Sequence, residues 1–273
     1  MVKIFISADM DGVAGVATPR QCDMDNPDYE LARRLMTEEV NAAIAGAFDG
    51  GATEVLVNDS HSQQINLLPN LMDKRAELIL GRPKRAGMFC GLDASYAGAM
   101  GVGYHAGASQ FGVLAHTVDG AVYAALRVNG IDCAEATLYG GYAGSLGVPV
   151  ILLAGDDRLQ EQCEPQFPGV RCVVVKTAMG NRAARSVAPE VACERIRAAA
   201  ADAVRNRASI RPLVIPGPCR LELDMMNVAQ ADVVMNIPVA TRLGPRTVAL
   251  PADDMAGVIG WVGAVNAMSA ALR

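Results

Sequence analysis

The chain has 273 residues, of which 51% are hydrophobic and only 4% aromatic, and its formal net charge is −5. That length supports one large or two small domains with a full hydrophobic core. The acidic balance, without a dense basic run, argues against nucleic acid as a main partner; no apolar run approaches the ~18–20 residues of a membrane span; and the opening residues show no basic-then-apolar signal pattern or small-residue cleavage site.

Residues 3–16 open the fold. Ile4, Phe5 and Ile6 form an apolar run too short for a helix, and it empties into Asp9, Asp11, Gly12 and Gly15. Residues i and i+2 of an extended chain face the same way, so Asp9 and Asp11 can enter one site together. Two adjacent carboxylates repel unless a cation separates them, which makes this stretch half of a metal site. The plainer alternative is a strand-to-loop turn with solvated acids. A polar loop follows, then a predicted helix over 29–48 that stops at Gly50-Gly51. Thr53 to Val57 is a second strand, emptying into Asn58-Asp59-Ser60-His61. A helix between two such strands is a βαβ unit with parallel strands. Both polar ends then share one sheet edge, which brings His61 towards Asp9 and Asp11.

Strands are predicted over 76–81 and over 99–106, the second ending in His105. Gly101-Val-Gly-Tyr-His-Ala also fits a loose dinucleotide fingerprint. The match is discounted, because the acid expected further on is missing and the glycines lie within the strand. His116 follows. Residues 121–128 alternate as a strand, Asn129-Gly130 is a turn, and 132–146 reads as a helix with Glu135 near its start. Strands over 148–154 and 170–175 and a helix over 189–207 complete the main part. Asp156 and Asp157, after the first of these strands, are expected to cap the next helix and to hold ligands in place by hydrogen bonds. Asp59 and Ser60 are expected to support ligands in the same way. Pro212, Pro216 and Pro218 mark a boundary. A strand near 221–223, a short helix over 227–233 and a closing helix over 252–272 follow. The expected fold is a three-layer α/β/α domain with a mainly parallel sheet, residues 1–210, and a smaller C-terminal α/β part, residues 211–273. Seven cysteines, odd in number and never in a Cys-x-x-Cys pair, point to a reduced, cytoplasmic protein.

Only three histidines occur, His61, His105 and His116, and each follows an apolar or small-residue run. Imidazoles gathered with carboxylates suit zinc and its neighbours. The acid-rich donor set favours two ions that share a bridging carboxylate.

At these residues the chain resembles the zinc-dependent D-aminopeptidase family, the bacterial dipeptide transport protein peptidases. The blocks that carry the resemblance run nearly the full length. They are Ile-Ser-Ala-Asp-Met-Asp-Gly-Val-Ala-Gly from Ile6, Met36-Thr-Glu-Glu-Val-Asn, Val57-Asn-Asp-Ser-His, Gly103-Tyr-His-Ala, Leu114-Ala-His-Thr, Asn129-Gly with Glu135 after it, and Ala154-Gly-Asp-Asp. The resemblance implies a two-zinc centre with Asp9 bridging, Asp11 and His61 on the first metal, His105 and Glu135 on the second, and His116 as the catalytic histidine. It also implies small D-amino-acid peptides such as D-Ala-D-Ala as substrates, and a ring-like homo-oligomer, a decamer, with inward-facing sites. One departure stands out: the family pattern has glutamate where this chain has Asp11, one methylene shorter, so the metal must shift or the loop close in.

A hydroxide held by two divalent ions is a usable nucleophile near neutral pH. His116, not assigned to metal, is left for acid–base work or oxyanion stabilisation. The rival readings are a metal-dependent amidase or lactam hydrolase on the same scaffold, and a non-catalytic small-peptide binding protein.

Overall fold

We describe residues 1–272 of a computed structural model. In chain order the elements are β1 (Lys3–Ala8), α1 (Tyr29–Asp49), β2 (Glu54–Asp59), β3 (Ala76–Ile79), β4 (Gly98–Tyr104), β5 (Tyr123–Val128), β6 (Ile131–Asp132), α2 (Glu135–Ser145), β7 (Val150–Asp156) and α3 (Asp157–Cys163). They continue with β8 (Arg171–Gly180), β9 (Ala183–Ser186), α4 (Pro189–Asn206), β10 (Cys219–Met225), α5 (Val228–Val234), β11 (Thr241–Arg242), β12 (Thr247–Ala252) and α6 (Met255–Ser269).

The main sheet has seven strands in the order β3-β2-β1-β4-β7-β8-β9. All its pairings are parallel except β8 with β9. Its central strands are buried along their whole length, β4 and β7 completely, which is why they read as continuous small and apolar runs without alternation. The helices α1 and α4 pack on each other and cover one face; Met36, Val40, Ile44, Ile196 and Ala200 form that core with Ile4 and Ile6. The opposite face carries α2, whose Leu138 and Tyr139 join Phe5 and Leu153 in a second core. Mixed α/β layering around a mainly parallel sheet is therefore present as the sequence predicts.

A second, antiparallel sheet of order β11-β12-β10-β5-β6 adjoins α6 and α5. It draws β5 and β6 from the middle of the chain and the other three strands from the C-terminal stretch. The sequence reading gives no range for α3, although it expects a cap at Asp156 and Asp157, and none for β9, β11 or β12. The seven residues of α3 are too few for a periodic pattern. The short strand β9 is mostly exposed and polar. In β12, Pro251 argues against a strand; β11 pairs only with Val248 and Ala249, so the proline sits where β12 has no partner on that side. Two boundaries also move. The predicted start of α2 at 132 belongs to β6, leaving Glu135 as the first helical residue, and α6 begins three residues later than expected, where Asp254 accepts a capping hydrogen bond from Gly257 N at 2.9 Å.

By length and composition alone, residues 255–272 are apolar enough to cross a bilayer, with mean hydropathy 1.5. The sequence reading missed this because glycine, asparagine and serine interrupt the run. One side of the helix, Met255, Val258, Val262 and Val265, is packed into the second core, as expected of a helix that covers a sheet.

The chain runs from β1 outward to β2 and β3, then returns to β4 on the other side of β1. The β1/β4 boundary is thus a switch point, where α/β sheets form a crevice beyond the carboxyl ends of their strands. Two glycines make that crevice tight. Gly12 N donates to Gly103 O at 2.7 Å. A β-carbon on Gly12 would lie 1.9 Å from Tyr104 O, and one on Gly103 would lie 2.0 Å from Asp9 O. Gly103 also has φ +74°, a left-handed conformation. We expect Gly103→Ala to lower stability by about 2–4 kcal/mol, from overpacking plus the left-handed backbone cost. Urea denaturation measures it, and an unchanged midpoint would contradict the close approach.

Candidate metal centre

Asp9 leaves the end of β1, His61 the end of β2 and His105 the end of β4, so three neighbouring strands deliver donors to one point. The parallel register of Ala8 with Asp59 and with Val102 brings these ends level. Glu135 arrives from the first turn of α2, and His116 from the loop between β4 and β5. All six residues named from the sequence converge. His61 Nδ1 lies 3.0 Å from Asp9 Oδ1 and 3.0 Å from Asp11 Oδ2. His105 Nε2 lies 3.3 Å from Asp9 Oδ2 and 3.4 Å from Glu135 Oε2. His116 Nε2 is 3.9 Å from Glu135 Oε1, and its ring stacks on that of His105 with centroids 4.3 Å apart. Asp9 therefore faces two imidazoles with its two oxygens, between two groups of donors.

The hydrogen bonds on the far side of each ring decide what the near side can do. His105 Nδ1 is 2.9 Å from the carbonyl of Ala106. A carbonyl only accepts, so Nδ1 donates, and neutral His105 turns the Nε2 lone pair towards two carboxylate oxygens. His61 repeats the pattern: Nε2 donates to Cys22 O at 3.4 Å and Nδ1 faces Asp9 and Asp11. Lone pairs opposed to carboxylates at this range require a cation between them, a proton or a metal ion. His105 Nε2 and Glu135 Oε2 are both buried without a hydrogen-bond partner. The electrostatics agree. Burial disfavours the charged forms of His61 and His105, but Asp11 beside the first and Glu135 beside the second outweigh it and hold both well above the ordinary value of 6.5. Burial likewise opposes ionisation of Asp9, yet the His105 and His61 rings beside it bring it down to about 2. Asp11 is lowered too, chiefly by His61 acting against burial. A field that draws protons onto buried imidazoles draws a divalent cation as well. Three donor groups satisfy metal-like spacing: Asp9 with His105 and Glu135, Asp11 with His61 and Cys22, and Asp11 with His105 and His116.

Surrounding groups fix these side chains. The Lys176 ammonium, fully buried, donates to the carbonyls of Asp11, Val13 and Val16 at 2.5, 3.1 and 2.6 Å. It clamps the loop that carries Asp11, and burial pulls its pKa down to about 8. Glu39, in α1, accepts from Ala14 N at 2.8 Å on the same loop. Asp59 accepts from Asn66 N, Asn66 Nδ2 and Leu67 N and so shapes the loop after His61. Asp156 caps α3 through Leu159 N and also accepts from Val113 N, anchoring the loop that carries His116. Leu114 and Val118 flank His116 with φ of +54° and +64°, and Ser62 and Gln64 follow His61 with φ of +46° and +60°. Non-glycine residues in this region carry strain of about 1–3 kcal/mol each, a cost that clusters at functional loops. Lys176 and Glu39 were not singled out from the sequence. Lys176 only ends a valine run, and Glu39 lies in a recognised block without a chemical motif.

A cleft of about 430 Å³ opens over the centre. Asp9, His61, His116 and Glu135 line it, together with Lys84 and Asn266 among others.

Comparison with known proteins identifies the family. A family profile described as D-aminopeptidase matches residues 2–264. The chain belongs to the D-aminopeptidase family. It is 36% identical over 255 residues to a D-aminopeptidase of Bacillus subtilis (strain 168), covering 93% of each chain. Among solved structures it is similar to the Zn-dependent D-aminopeptidase DppA from Bacillus subtilis, described as a self-compartmentalizing protease. That match has a TM-score of 0.96 and 33% identity, and covers 98% of each chain.

Two predictions follow from the geometry. Protons compete with metal for His61 and His105, whose pKa values stand above 6.5. Zinc affinity should therefore still rise with pH above neutrality, as competition titrations against a chromophoric chelator would show; a plateau below pH 6.5 would contradict it. The Glu39 carboxyl is raised by burial from 4.5 to about 7. Between those values the folded protein keeps a proton that the unfolded chain releases, so this group's contribution to stability falls as pH rises through that window. Glu39→Gln, which can still accept from Ala14 N, should flatten stability over that range in denaturation series.

Proposed function

We propose that this chain is a zinc-dependent aminopeptidase that releases N-terminal D-amino acids from short peptides or amides. Asp9 would bridge two metal positions, with Asp11 and His61 completing one and His105 and Glu135 the other. The observation that carries this reading is the pair of imidazole lone pairs, His61 Nδ1 and His105 Nε2, turned onto opposite oxygens of Asp9. The donor set of nitrogen and carboxylate oxygen suits zinc. When bound, divalent ions lower the pKa of water towards ~7 and polarise an amide carbonyl.

The chain's own residues supply the rest. His116 is 26% exposed at its side chain and opens to the cleft, unlike the buried His105. Its Nδ1 donates to Leu114 O at 2.8 Å, which leaves Nε2 free to take a proton from an attacking water and return it to the departing amine. Glu135 Oε1 accepts from Val118 N at 2.7 Å, which ties the carboxylate to the His116 loop and keeps Oε2 directed at the centre. The cleft accommodates a short peptide and not a folded chain, consistent with small substrates. We further propose a cytoplasmic protein, in keeping with seven free cysteines, that assembles as a ring-like homo-oligomer, a decamer in the family pattern.

The test is turnover of D-Ala-D-Ala beside L-Ala-L-Ala. The zinc-loaded protein should hydrolyse the D-peptide faster, lose activity to a chelator and regain it with zinc. His116→Asn should cut kcat by about 10²–10⁴-fold, the usual span for a lost acid–base group, while zinc content stays unchanged. Full activity in His116→Asn, or in metal-free protein, would contradict this reading.

A further inference from the structure

Cys22 lies outside every block that identifies the family, yet it stands at the metal centre. It is the last residue of a single helical turn, Pro19–Cys22. The Gln21 side chain secures that turn by accepting from Ala17 N and Thr18 N and donating to Gly15 O. The Cys22 sulfur, a carboxylate oxygen of Asp11 and a ring nitrogen of His61 all lie within 4.8 Å of one another. The Cys22 carbonyl also takes the Nε2–H of His61 and so fixes the tautomer that faces Asp9 and Asp11. Among the described residues no other cysteine joins a donor group of this kind.

We propose that the Cys22 sulfur is a protein ligand of the first metal position, together with Asp9, Asp11 and His61. This rests on the two-metal reading above. The thiol proton passes to solvent as the sulfur–metal bond forms, and nothing is oxidised or reduced. The first position then has four protein donors, the closed set of structural zinc sites. The second, with Asp9, His105 and Glu135, has three, as in catalytic sites that keep a place for water or substrate. His116 stands beside the second position, with its ring on His105 and its Nε2 nearest Glu135. The two metals thereby divide the work: the first holds Asp9, Asp11 and the loop to Cys22 in place, and the second meets the substrate. Both donor segments are already fixed, by Lys176 on the Asp11 side and Gln21 on the Cys22 side. Preorganised donors of this kind let a metal bind without ordering a loop.

Cobalt(II) reports the ligand directly. The full chain, stripped with chelator and reloaded with cobalt, should bind two equivalents and show a near-ultraviolet sulfur-to-cobalt charge-transfer band. Cys22→Ser should lose that band, keep the visible ligand-field bands, and bind the first equivalent at least about 10-fold more weakly. X-ray absorption of the wild-type zinc form gives the same answer without a variant, as a sulfur scatterer at ~2.3 Å. Two bound equivalents with no sulfur signal would overturn the Cys22 assignment and leave the two-metal centre standing, as would a band that persists in Cys22→Ser. Failure to bind cobalt or zinc at all would overturn both.

Discussion

Everything at the active end of this protein depends on one electrostatic constraint. Two imidazoles, each with its far nitrogen already donating to a backbone carbonyl, present their near nitrogens to opposite oxygens of a single buried aspartate. Asp11 and Glu135 add further negative charge within 3.4 Å of the same nitrogens. Such an arrangement is costly in a dry interior unless positive charge lies at its centre. Protons can supply that charge, and divalent metal ions can do so while leaving a reactive face. Asp9 is the hinge of the design, because it alone touches both imidazoles.

The fold meets this constraint at the switch point of its sheet. Neighbouring β1, β2 and β4 end level, and Gly12 and Gly103 let their backbones come close enough for Asp9 to sit between His61 and His105. The loops beyond the strand ends would be mobile if left to themselves. Buried polar groups hold them instead: Lys176 on the Asp11 loop, Asp59 on the His61 loop and Asp156 on the His116 loop. Each is buried because it satisfies several backbone groups at once, and each converts a flexible connection into a fixed donor platform.

Much of this was legible in the sequence because strand ends advertise themselves. Ile4–Ile6 followed by Asp9 and Asp11, Val55–Val57 followed by His61, and a small-residue run ending in His105 all placed chemistry at a strand end. The βαβ rule then made one sheet edge common to the first two, while His105 was read only as the end of its own strand. Glu135 and His116 were harder to place from spacing alone, and it was the resemblance that assigned them roles. The supporting residues were not legible, because burial of Lys176 and Glu39 comes from packing between α1, β8 and the Asp11 loop, which no local pattern encodes. The same holds for the antiparallel sheet. Its strands β5 and β10 are distant in the chain, and Pro251 in β12 argues locally against the pairing that the structure makes.

The central claim, that Asp9 bridges two metal positions, is tested most directly by anomalous diffraction at the zinc edge from crystals of the zinc-loaded protein. The account predicts two peaks flanking Asp9, one beside Asp11 and His61 and one beside His105 and Glu135. A single peak, or zinc bound elsewhere with the Asp9 centre empty, would contradict it.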